Sequence, residues 1–156
     1  TLAKALGARL NLPVFHLDRE FLRGNYESIP ESDRIKKHKE LIDKPNWVID
    51  GNYSKLLLDD RAKKANLVIY LNVSRIKTIP RVLLRSKTKG QDRETIPKDA
   101  KPGALSREFL KWTITYNRRK HLKLIQKLCN QEGADLLVLK NKTINDMVSL
   151  VIKHLK

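Results

Sequence analysis

The chain has 156 residues, 40% hydrophobic and 32% charged, with 33 Lys+Arg against 17 Asp+Glu. This composition excludes a disordered polymer, and the length suits one domain, residues 1–156, with a sizeable core. No apolar run approaches the roughly 20 residues that span a bilayer, and the lone Cys129 excludes a disulfide framework and a cysteine-type zinc site.

In chain order, TLAKALGARL places Leu2, Leu6 and Leu10 at helical spacing, and Asn11 and Pro13 end that helix. No N-cap and no initiator methionine precede it, which predicts that upstream chain is missing. VFHL (14–17) reads as a short strand closing on Asp18, followed by a loop through Gly24 and Asn25. Ser28-Ile-Pro-Glu31 has the form of a capping box and predicts a helix to about Asp43. WVID (47–50) is the next strand, and a helix is expected from Ser54 to about Lys64.

LVIYLNV (67–73) is apolar enough for a strand buried on both faces. Residues 75–87 read as a basic helix, and TKGQDRETIPKDAKPGA (88–104) as a long polar connection or lid. One helix is predicted from about Leu105 to Asn130, with Trp112 and Tyr116 on its apolar stripe. DLLVL (135–139) is the last strand, and Thr143 opens the closing helix. Strands alternate with helices throughout, which predicts an α/β sandwich with a mainly parallel sheet.

A net charge of +16 favours polyanionic partners: nucleic acid, a membrane surface or phosphorylated small molecules. In a parallel sheet, the strand ends carrying Asp18, Asp50 and Asn72 gather on one edge, where such folds bind ligands. Asp50 is followed at once by Gly51, which also suits a hairpin turn, but a helix rather than a second strand follows. Two carboxylates with nearby arginines suit Mg²⁺ and phosphate. Arg81, Arg85, Arg93, Arg118 and Arg119 could supply the positive groups. His16 and His121 have no partner at metal-ligand spacing.

The segments HLD, WVIDGNYS, ANLVIYLNVSR, RVLLR and EFLKWTITYNRR, in that order, resemble the adenylate-kinase-like P-loop family known as topology modulation proteins. The resemblance covers essentially the whole chain. It implies a three-layer P-loop kinase-like sandwich with a basic lid, ATP and Mg²⁺ as cofactors, and phosphoryl transfer to a nucleotide-type or other small-molecule acceptor. It also implies that the first strand and the G-x-x-x-x-G-K-[ST] loop belong just before Thr1, so the chain as written should bind ATP poorly.

Carried over by position, Asp18 would hold or deprotonate the acceptor hydroxyl, and Asp50 would face Mg²⁺. Asn52, Tyr53 and Arg61 would line the acceptor pocket. Arg81, Arg85 and Arg93 would clamp phosphates, with Arg118 and Arg119 as a second cluster and Thr1 beside the cofactor. Each has an ordinary alternative: a turn or cap for Asp18, Asn52 and Tyr53, a surface ion pair for Arg61, and a solvated face for the basic helices. A DNA-topology regulator that binds nucleic acid through its basic surface is the competing function. A metabolite kinase of the shikimate or gluconate type is a third. The cysteine usage and the absence of a membrane span point to a cytoplasmic protein with no membrane partner.

Overall fold

A computed structural model describes residues 1–24, 27–74, 80, 111, 113–140 and 142–156. The lid segment, Arg81, Arg85, Arg93 and Trp112 lie outside the described residues. The chain is a mixed α/β fold with parallel strands. Its elements are α1 (Leu2–Leu10), β1 (Val14–His16), α2 (Leu17–Phe21), β2 (Leu22–Arg23), β3 (Glu27–Ser28) and α3 (Glu31–Ile42). There follow β4 (Val48–Asp50), α4 (Leu58–Lys64), β5 (Leu67–Leu71), α5 (Arg118–Glu132), β6 (Asp135–Leu139) and α6 (Ile144–His154).

Two parallel ladders carry the architecture. β1 pairs with β4, setting Val14 against Val48, Phe15 against Ile49 and His16 against Asp50. β5 pairs with β6, from Leu67 against Asp135 to Leu71 against Leu139. β2 and β3 form a small antiparallel pair.

Helices cover both faces of the ladders, as the alternating strand–helix pattern requires. On one face, Leu2 and Leu6 of α1 pack with Leu139 of β6 and Val151 of α6, against Leu67, Ile69 and Leu137. The same helix lies on β1, where a Cβ at Gly7 would collide with Val14 Cγ2. α1 therefore bridges the two ladders. On the opposite face, Leu17, Phe21, Leu41 and Leu56 pack under Phe15 and Ile49, while Ile125 and Cys129 of α5 pack on Tyr70.

Several sequence expectations are corrected. Thr1 caps α1, its hydroxyl accepting from Lys4 N at 3.4 Å, so that helix is not uncapped. Asp18 lies in the first turn of α2 rather than at the end of a strand. Ser28 does not cap α3, because its backbone is engaged in the β2–β3 pair. Pro30 takes the cap position instead, its fixed φ suiting the entry, with Glu31 and Asp33 complementing the helix dipole.

α4 begins at Leu58, not Ser54. Leu56 is drawn into the core with Leu17 and Phe21, and its amide turns back to Tyr53 O at 3.0 Å. The expected single helix to Asn130 is interrupted. Lys111 and Thr113–Thr115 are helical, Tyr116 and Asn117 are not, and Asn117 Oδ1 caps α5 by accepting from Lys120 N at 3.0 Å. The last strand and the Thr143 cap agree with expectation; Thr143 and Asp146 form a reciprocal capping box.

Candidate functional site

The pairing of β1 with β4 builds the site. Because His16 and Asp50 are register partners at the ends of parallel strands, their side chains meet there. His16 Nδ1 lies 3.0 Å from Asp50 Oδ2. An ionised carboxylate only accepts, so His16 carries its proton on Nδ1. The His16 side chain is 8% exposed and Asp50 49%, so the carboxylate faces outward on a buried imidazole. His16 Nε2 has no hydrogen-bond partner among the described residues.

Asp18 follows one turn into α2. Tyr53 donates its hydroxyl to Asp18 Oδ1 at 3.0 Å, and the Tyr53 ring stands edge-on to the Phe21 ring, with centroids 4.9 Å apart. Desolvation pushes the Asp18 carboxyl up, and the Asp50 charge adds to that push; the Tyr53 hydrogen bond and His16 oppose it. Burial and the neighbouring Asp18 hold the Tyr53 hydroxyl above its usual range, so it remains a donor.

These opposing influences set a direct test. Tyr53→Phe removes the hydrogen bond that favours the carboxylate, so the Asp18 pKa should rise further. Asp50→Asn removes the like charge and should lower it. Carboxyl carbon shifts followed by NMR against pH read both changes. Movement in the same direction in the two variants would contradict this account.

Gly51 turns the chain after Asp50 and brings its backbone onto the Leu17 side chain. Asn52 then donates its side-chain amide to the Tyr116 hydroxyl at 3.4 Å, and its carbonyl accepts from Arg61 Nη2 at 3.3 Å. Arg61 is 9% exposed, and its Nη1 has no hydrogen-bond partner among the described residues. Burial lowers the guanidinium to about 10, which leaves it charged at neutral pH. A surface ion pair is therefore not its role. His38, fully buried beside Phe21 and lowered to about 4 by burial and by Arg61, stays neutral.

A cleft of about 290 Å³ opens beside this edge, lined by Lys4, Val14, His16, Arg19 and Glu20. That volume is at the small end of the range for metabolite pockets.

The structure thus brings together Asp18, Asp50, Asn52, Tyr53 and Arg61. Of the other described candidates, Arg118, Arg119 and Thr1 share no hydrogen bond or ion pair with this group among the described residues. Arg118 spans back to Val73 O at 2.6 Å, while its own carbonyl accepts from the Tyr70 hydroxyl at 3.2 Å. Arg119 is exposed on α5, and Thr1 is engaged as the α1 cap.

Two residues escaped the sequence reading. His16 could have been found by laying VFH beside VID as parallel strands, which sets it opposite Asp50. Tyr116, read from spacing as a core residue, sits at the helix break and meets Asn52.

Among the described residues, no three His, Cys, Asp or Glu side chains gather as a metal cage. The pair Asp18 and Asp50 suits Mg²⁺, which takes one or two carboxylates and completes its shell with water and phosphate oxygens. No described helix is long and apolar enough to cross a membrane. No protein-family model, curated protein or solved structure matches the chain.

Proposed function

We propose that this protein belongs to the adenylate-kinase-like P-loop family and that its site serves ATP-dependent phosphoryl transfer to a small anionic acceptor of nucleotide type. The observation that carries this reading is the placement of Asp18 and Asp50 at one parallel-strand edge, with the buried, charged Arg61 held behind the adjoining Asn52 turn. A guanidinium buried without a carboxylate partner is costly, and an anionic group on the ligand would relieve that cost.

In this reading Asp18, held by Tyr53, accepts the proton of the acceptor hydroxyl. Burial raises its pKa above that of an ordinary aspartate, which makes it a stronger base. Asp50, fixed by His16, faces Mg²⁺, which would neutralise charge on the phosphates. Asn52 shapes the turn, and Arg61 attracts the acceptor's anionic group. Arg81, Arg85 and Arg93 are proposed to neutralise the transferring group.

Among the described residues α1 packs on both parallel pairs, which share no ladder hydrogen bond.

The test begins with calorimetric titration of the chain with a nucleoside monophosphate, the matching nucleoside and a small hydroxy acid. The monophosphate should bind best, and Arg61→Met, with volume largely conserved, should weaken it at least tenfold. ADP release from Mg-ATP is then measured on the chain extended by a strand and phosphate loop. It should depend on the acceptor and vanish in Asp18→Asn. Equal binding of nucleoside and monophosphate, unchanged in Arg61→Met, would overturn the assignment of an anionic acceptor. Acceptor-independent ADP release would overturn the kinase.

A further inference from the structure

α5 carries a second feature that phosphoryl transfer does not use. Taken at about 100° per residue, its positions divide cleanly into two faces. Leu122, Ile125 and Cys129 pack inward with Tyr70, Val68 and Leu136. Arg119, Lys120, Lys123 and Lys127 fall within about 100° of arc on the opposite side, and all four are exposed. Gln126, Asn130 and Gln131 flank them and are exposed as well. None of the four cations has an ion-pair partner among the described residues.

The placement works against the helix that bears it. Arg118, Arg119 and Lys120 occupy its first turn, where no acid is present and the dipole is positive. Arg119, Lys123 and Lys127 repel one another at four-residue spacing. A merely solvated face would do better with acids interspersed, so the stripe fits an external polyanion.

We propose that the outer face of α5 docks on the phosphate backbone of a double-stranded nucleic acid. Arg119, Lys123 and Lys127 advance about 6 Å per step along the helix. Alternate phosphates of one strand advance about 7 Å along the duplex axis. The flanking amides supply hydrogen bonds to phosphate or sugar oxygens. No aromatic residue lies on the stripe, so base stacking of a single strand is not the mode. Leu124 is the one exposed large apolar side chain on α5, too little to insert into a lipid interface.

Fluorescence anisotropy of a labelled 20-base-pair duplex, measured from 50 to 300 mM salt, tests the proposal. Lys120, Lys123 and Lys127 are changed together to Gln, which keeps helix propensity. A control changes Lys36, Lys39 and Lys153 to Gln, removing equal charge from other exposed positions. The α5 triple should weaken binding at least tenfold at 100 mM salt and flatten the log–log salt slope by about 2.7. The control should change both much less. Equal losses in the two triples would reduce the effect to net charge and overturn the assignment. So would absence of duplex binding at 50 mM salt, or binding only to vesicles containing phosphatidylserine. Circular dichroism melts check that each triple remains folded.

Discussion

Replacing Phe21 by alanine should lower the unfolding free energy by about 3–5 kcal/mol. Phe21 is fully buried at the end of α2, within the cluster of Leu17, Leu41 and Leu56. Its ring meets the Tyr53 ring edge-on and lies 5.9 Å from the His38 ring, centroid to centroid. The ring is too large for these neighbours to close over once it is gone, so a cavity adds to the lost burial. The damage should extend to the site, because the Phe21 ring packs edge-on against Tyr53, which donates to Asp18. Urea denaturation gives the first effect, and the NMR titration of Asp18 gives the second. Phe21→Leu should cost much less, since most of the volume stays. A loss below about 1 kcal/mol for Phe21→Ala would mean that this cluster is not the core that the packing indicates.

Gly51→Ala should cost about 3 kcal/mol and displace the carboxylate of Asp18. Gly51 has φ +150, which a side chain rarely adopts. Its added Cβ would lie 2.7 Å from Leu17 Cβ and 3.0 Å from Leu17 Cγ. Leu17 is fully buried and cannot retreat, so the strain passes to α2, which carries Asp18. Gly133 provides the comparison: its φ is also positive, but an added Cβ meets nothing within 4 Å. Gly133→Ala should therefore cost only about 1 kcal/mol, from backbone conformation alone. Thermal melts of the two variants separate collision from conformation. Similar losses would leave the Gly51–Leu17 contact without consequence. This contact is the physical reason that an acid at the end of WVID is followed at once by glycine: the turn must pass against a core leucine.

The order of the longer described elements was legible because their strands are compact apolar runs and their helices repeat at helical spacing; α2, β2 and β3, too short to carry either pattern, fall where a loop was expected. DLLVL and the helix start at Thr143 needed nothing but local chemistry, and both stand where expected. The misplaced boundaries share one cause, which is that distant contacts outrank local signals. Ser28 has a capping sequence, but pairing with Leu22 uses its backbone. Ser54 looks like a helix start, but burial of Leu56 holds the chain in turns until Leu58.

Asp18, Asp50, Asn52, Tyr53 and Arg61 were nameable from their positions in sequence, yet their relations were not. The contact of His16 with Asp50 crosses 34 residues and depends on register. The burial of Arg61 depends on helices whose packing no local pattern records.

The bridging of two ladders by α1 bears on how the molecule opens. No ladder hydrogen bond joins β1–β4 to β5–β6 among the described residues, and α1 touches both. Each ladder can thus exchange its amide protons through its own local fluctuation, without the other coming apart. Detachment of α1 uncovers both together. α1 is thus one element through which the two ladders are coupled, beside the Asn52–Tyr116 bond and the packing of Leu58 on the Tyr70 cluster.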